Sequence, residues 1–352
     1  MSTFKIITHI EKVIFEKKYD KNIDQKINRK IIYFSRNGSN YYDDISLYND
    51  TIYISGNRTK PIVELNILKT VNSTFYYSLV KALLFVYFEK HSFLVKTIEV
   101  IVDDKSIIKY NEEDIHQVFK NPKNSNISEI KCDKLFVDKK VSDIAMNALM
   151  NLTMSFKYSD LKFDYTWKCF NGLIRHIFNK DKDFEMLREL RNDIEKDKKS
   201  ETNLYSKTMD FSSELTYDYI KSLSIKAMIC NNYPKDKTKG LYEFLKSFTD
   251  YRIVKVLSEN LSCKKNELNS INKFEEICEY YSKLLKYGCT KTNDIDVIRF
   301  VILKYAYYLR CKYFHAEKIP ANFLIENMSQ NELNKITEPL SIICYDLFIN
   351  RL

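Results

Sequence analysis

The apolar positions of this chain change period part-way along it. In the first third they come in short β-branched runs. Ile31-Ile32-Tyr33-Phe34-Ser35 runs into Arg36-Asn37-Gly38, which reads as a strand entering a turn. Thr51 to Asn57 predicts a second strand and Pro61 to Leu68 a third. Val95 to Val102 is β-branched and partly alternating, and Asp103-Asp104-Lys105 follows it as a turn. One helix fits Ser73 to Lys90 within this region, capped by Asn72 or Ser73.

Beyond Asn121-Pro122-Lys123-Asn124-Ser125-Asn126, the clearest linker, the spacing becomes three and four residues. A tract from about Ser142 carries Ala145, Leu149, Leu152, Phe156, Phe163, Trp167, Phe170, Ile174 and Ile177 at that spacing. Ser159-Asp160 is expected to split it in two. Met186 to Arg191 reads as helical, and Glu195 to Glu201 as a solvated loop. Further helices fit Leu215 to Ile229, Leu241 to Leu257, Lys273 to Tyr287 and a segment opening near Asp294. Thr337-Glu338-Pro339 is expected to start a last helix over Leu340 to Leu352. The fold class expected is α+β. A strand-containing module over 1–125, a sensor or substrate-orienting domain, would precede a helical domain over 140–352.

Composition agrees with long helices, since Gly and Pro number only five each among 352 residues. That scarcity also argues against glycine-rich phosphate loops, and none is visible. The net charge of +9 is compatible with an anionic partner such as RNA without demonstrating one. The eight cysteines show no C-x-x-C spacing and no flanking His at zinc-site distances, so reduced thiols of a cytoplasmic protein are expected, with no metal and no cofactor. The acidic groups Asp103-Asp104 and Glu112-Glu113-Asp114 with His116 read as solvated turn residues. Neither a signal-peptide core nor a membrane-spanning run is apparent, so no membrane partner is expected.

The stretch that stands out is Tyr305-Ala306-Tyr307-Tyr308-Leu309-Arg310-Cys311-Lys312-Tyr313-Phe314-His315, at the end of the apolar helix from Asp294. A helix apolar almost all round is buried on several sides, so its few polar residues need a reason. On an α-helix Arg310 and His315 lie roughly 140° apart. Arg299 aligns with Arg310, and Lys304 with His315, giving two thin polar stripes that would face an internal cleft or a second copy of the chain. Taken singly, an Arg and a His at a helix C-terminus need do no more than interact with the last carbonyls.

Together, Leu309 to Lys318 resembles the signature of the HEPN superfamily: Arg, four to six residues, then His, late in a helical bundle. Cys311 stands where many active members carry Asn or another polar residue. A second stretch, Phe163 to Leu173, resembles the early helix of the Apea-like and abortive-infection groups through Trp167, Asn171 and Leu173. Structurally, a lone Trp is also a natural core anchor.

The resemblance implies a bundle that dimerises, with Arg310 and His315 from two motifs in one composite cleft. It implies metal-independent endoribonuclease activity on single-stranded RNA, leaving 2′,3′-cyclic phosphate and 5′-hydroxyl ends, in a toxin or antiviral-defence effector controlled by an antitoxin or activator. Lys312, Tyr313 and Asn171 would bind RNA or support the site, and Tyr308 and Phe314 are further candidates for base stacking. The alternative is a HEPN module that binds RNA, a nucleotide or a protein partner without cutting. A third reading is an assembly protein in which the motif is coincidental.

Overall fold

The computed structural model describes residues 2–12, 27–48, 50–62, 67–68, 73–90, 92–122, 130–287, 292–314 and 331–352. The protein is α+β and forms two compact units, Met1–Ile177 with Leu352, and Phe178–Arg351. The division falls at Ile177/Phe178 rather than in the expected 125–140 interval. The helical tract that begins near Ser142 therefore belongs with the sheet.

The first unit is built on a six-stranded antiparallel sheet in the order β2-β3-β4-β1-β5-β6. The strands are β1 Ser2–Lys12, β2 Ile27–Arg36, β3 Ser39–Leu47, β4 Thr51–Arg58, β5 Phe93–Val102 and β6 Lys105–Asn111. In central β1, Phe4, Ile6, Thr8 and Ile10 point inward at period two, so Ile6 sits between Ile54 and Val100, all three fully buried. Asn37 and Gly38 both have positive φ, which matches the two-residue turn joining β2 to β3. Asp103 and Asp104, also at positive φ, make the turn between β5 and β6. Of the expected strand over Pro61 to Leu68, residues 63–66 lie outside the described residues, and Pro61, Ile62, Ile67 and Leu68 are not in a strand.

Helix α1, Thr74–Lys90, starts where the Ser73 hydroxyl accepts from the Tyr76 N–H, as its cap position predicts. It is buried continuously from Lys81 to Phe88, a run that is apolar except for Lys81. Helix α2, Lys139–Lys157, is capped by Asp138 through the Val141 N–H. A 3-10 turn at Ser159–Leu161 then breaks the tract, as expected, before α3, Lys162–Phe178. Between α1 and the sheet, Asp43 is fully buried against Arg58, which donates two bonds of 2.7 and 2.9 Å to its carboxylate. Gly56 leaves room for that carboxylate: a Cβ there would stand 2.4 Å from Asp43 Oδ1.

The second unit is helical: α4 Asp183–Ser200, α5 Ser206–Glu214, α6 Tyr217–Lys221, α7 Ile225–Asn232, α8 Thr238–Lys246, α9 Tyr251–Asn260, α10 Lys265–Asn269, α11 Phe274–Tyr287, α12 Asp294–Ile298, α13 Tyr307–Phe314 and α14 Asn331–Asp346. The charged stretch Glu195 to Glu201, expected as a loop, mostly continues α4, because Ile194 and Asp197 on its inner face are buried. Asp197 accepts from the Leu204 and Tyr205 N–H groups and so closes the loop that follows. The expected Leu241–Leu257 helix is two, since Asp250 caps a new start through the Arg252 N–H. Leu215–Ile229 likewise contains α6 and most of α7.

Pro339 does not start the last helix but lies inside α14. A proline there leaves the carbonyl of Lys335 without its helical donor. The Tyr219 hydroxyl fills the gap, donating to Lys335 O at 2.7 Å.

A candidate anion-binding cleft

The helix that carries Arg310 begins at Asp294 as expected. Its start is held by Arg252, which donates to Asp294 at 2.9 Å and, through two further bonds, to Asp250. Its middle departs from α geometry. Residues Arg299–Ala306 form a π-helical segment between α12 and α13. A π turn takes up an extra residue, so a count of 100° per residue does not carry across it. Arg299 and Lys304, expected on two separate stripes, line one cleft, which Arg310 does not line; His315 lies outside the described residues.

That cleft has a volume of about 510 Å³. One wall is α4, with Phe184, Leu187, Arg188 and Arg191 at helical spacing along one face. The other is aromatic: Tyr233, Phe244 and Phe248. Four cationic side chains line it against one carboxylate, Glu243. Arg299 is tied to Asp296 at 3.1 Å and its guanidinium lies 5.4 Å from the Phe248 ring centre. The Lys304 ammonium stands 5.1 and 5.4 Å from the Tyr233 and Phe244 rings. Burial and then the charge of Lys237 hold its pKa below the ordinary lysine value. The Arg191 Nε is buried with no hydrogen-bond partner, 3.6 Å from a Glu195 oxygen. Arg188, Arg191 and Arg299 stand beside Glu189, Glu195 and Asp296, which leaves Lys304, set against two ring faces, as the cation best placed for an anion with a flat apolar part.

Arg310 lies at the N-terminal end of the same α4 helix. Its guanidinium is 3.6 Å from Asp183 Oδ2, too long for a hydrogen bond, and its Nε is buried without a partner. Cys311 Sγ is 4.0 Å from Nη1, and the Phe314 ring centre is 5.4 Å from the guanidinium carbon. Tyr307 completes the group, its phenol raised above the ordinary value first by burial and then by the Cys311 and Asp183 charges. Asp183 is adjacent in sequence to Phe184, which lines the cleft, so α4 links the two places.

His315 directly follows α13 and lies outside the described residues. Lys312 and Tyr313 are half-buried, and Phe314 is 45% exposed. Tyr308 is not available for stacking: it is 2% exposed, and its hydroxyl accepts from Asn231 Nδ2 at 3.1 Å. Trp167 is buried in the first unit against Phe163 and Phe170, and Asn171 is half-buried on α3. The two stretches that carry the family resemblance therefore belong to different units. Phe184, Arg188 and Arg191 were not singled out from the sequence; their three- and four-residue spacing was the available signal.

Among the described residues, no three His, Cys, Asp or Glu side chains converge as a metal site would need. None of the described helices is long and apolar enough to cross a membrane. No family model, curated protein or solved structure matches the chain.

Proposed function

We propose that the protein is a metal-independent endoribonuclease of HEPN type, acting on single-stranded RNA in the cytoplasm as a toxin or antiviral-defence effector. The observation that carries this reading is the cationic, aromatic-walled cleft lined by Arg299 and Lys304 on the helix that runs on to Arg310. Single-stranded nucleic acid needs both of its features, positive charge along the phosphates and ring faces for the bases. In the reaction, the ribose 2′-hydroxyl attacks the adjacent phosphorus and the 5′-oxygen leaves. The imidazole of His315 moves a proton between these oxygens and itself, taking it from the nucleophile or returning it to the leaving group. Arg310 faces the equatorial phosphoryl oxygens, where charge gathers in the transition state. Its present partner, Asp183, is held at ion-pair rather than hydrogen-bond distance, so a phosphate displaces little. One chain carries one motif, so the composite site requires two copies, and an antitoxin or activator would act on that pairing.

Cleavage of single-stranded RNA in EDTA is the test. Wild type should release cyclic-phosphate ends, and His315→Ala and Arg310→Ala should each lose about 100-fold or more in rate. Unchanged cleavage in His315→Ala would remove the histidine from the mechanism. A second reading, RNA binding without cleavage, draws on Cys311 beside Arg310 and on Asp183 opposite it. Retained RNA affinity with no cleavage by the folded dimer would favour that reading.

A further inference from the structure

The first unit contains interior chemistry that RNA cleavage does not use. Two cavities of about 580 and 390 Å³ adjoin between α1 and α2. Tyr76, Val80, Asn147 and Met150 line both, so they form a shared wall. The larger chamber is predominantly apolar, with Leu79, Leu83, Ile98, Phe119 and Met154 among its lining. The smaller is the more polar of the two, with Ser73, Thr74, Lys139 and Asp143 beside Tyr77 and Met146.

Behind the polar chamber lies Lys81, fully buried, its ammonium 2.6 Å from Ser142 Oγ and 3.8 Å from Asp143 Oδ1. Lys81 and Lys139 both approach the Tyr77 ring, at 4.2 and 4.6 Å, and Lys139 pairs with Asp143 at 2.9 Å. Two ammonium groups thus share one carboxylate. The Tyr77 hydroxyl is buried with no hydrogen-bond partner, as is Asp143 Oδ1. Burial draws the Lys81 pKa down to about 7, with the Lys139 charge adding to it, and raises that of Asp143 to about 6. While Lys81 holds its proton, the two ammonium groups outnumber the one carboxylate by one charge, and Tyr77 is short of an acceptor.

We propose that the two chambers together bind a small monoanionic amphiphile, a carboxylate with an apolar body. The carboxylate lies in the polar chamber beside Lys139 and the Tyr77 hydroxyl, and the body fills the apolar chamber across the Tyr76–Met150 wall. A cation would worsen the charge excess, and a dianion would overshoot it. A neutral apolar molecule would fill the larger chamber but leave Tyr77 without an acceptor.

The test is fluorescence titration of the 352-residue chain with cis-parinaric acid and, separately, its methyl ester. Saturable one-to-one binding of the acid, about tenfold tighter than the ester, is expected. Lys139→Met should remove that preference while leaving ester affinity unchanged. Asn147→Trp, at an exposed position lining both chambers, should abolish binding of both probes; Met150→Trp tests the same wall should the first variant fail to fold, as judged by circular dichroism. Absence of acid binding, equal affinity for acid and ester, or undiminished binding in both folded Trp variants would each overturn the proposal. None of these outcomes bears on RNA cleavage.

Discussion

Arg252 and Arg310 are the same residue type in the same unit, in opposite circumstances. Arg252 is 3% exposed at its side chain, and every part of its guanidinium is engaged. It donates to Asp250 through Nε and Nη2, to Asp294 through Nη2, and to the Ser212 and Leu215 carbonyls through Nη1. Burial works against its charge, but the hydrogen bonds to Asp250 and Asp294 outweigh it and hold the pKa above the ordinary arginine value. Arg310 is about a quarter exposed, has one carboxylate at 3.6 Å and an unpartnered Nε. A fully spent guanidinium joins the C-terminal end of α5 to the starts of α9 and α12. One with unspent donors is what a phosphate needs. Position on a helix separates the two less well than the count of donors already used.

Breaking the first of these should give the largest effect. Arg252→Met leaves Asp250 buried without its counter-charge and should destabilise the protein by about 3–5 kcal/mol, read as a fall in the denaturant midpoint. The loss of only a fraction of that would mean the network is dispensable and the contrast with Arg310 false. Lys81, a buried cation with fewer partners, should behave in the opposite sense. Its folded-state pKa is drawn from 10.5 down to about 7, so between those values the unfolded chain binds the extra proton and stability rises with pH. Lys81→Met should therefore stabilise by about 1–3 kcal/mol at pH 7, with the gain shrinking as pH approaches 10. A gain that does not change with pH would show that packing, not charge, is relieved.

Smaller effects sharpen the cleft itself. Lys304→Ala should weaken single-stranded RNA binding and lower the slope of log affinity against log salt by about 0.7, without shifting base preference. An unchanged slope would place RNA elsewhere. Arg310→Ala should be the mildest for stability, within about 1 kcal/mol of wild type by thermal melting, because its ion pair is long and partly solvated. A large loss there would make Arg310 structural, like Arg252.

Local pattern made much of the fold legible. β-branched runs, Asn37-Gly38, the Ser73 cap and the break at Ser159-Asp160 act between near neighbours, so they can be read without the rest of the chain. The Arg299, Lys304 and Arg310 positions were likewise visible as polar interruptions of an apolar helix. The companions from α4 were not, because Phe184, Arg188 and Arg191 look like any charged helical face until another helix packs opposite them.

Sequence by itself determined the α+β class, the strands β2, β4 and β5 and the helices with strong local signals, since period and caps are short-range properties; β1, β3 and β6 were not read from it. It also determined which helix would hold a cation with little reason to be there. Tertiary structure alone decided that α2 and α3 belong with the sheet. It alone put a π segment between Arg299 and Arg310, let Tyr219 satisfy the carbonyl beneath Pro339, and buried Lys81 against Ser142 and Asp143 of α2. Each of these depends on a partner distant in sequence or on packing around a segment, and a hydrogen bond or a desolvated charge has no energy until that partner or that burial is in place.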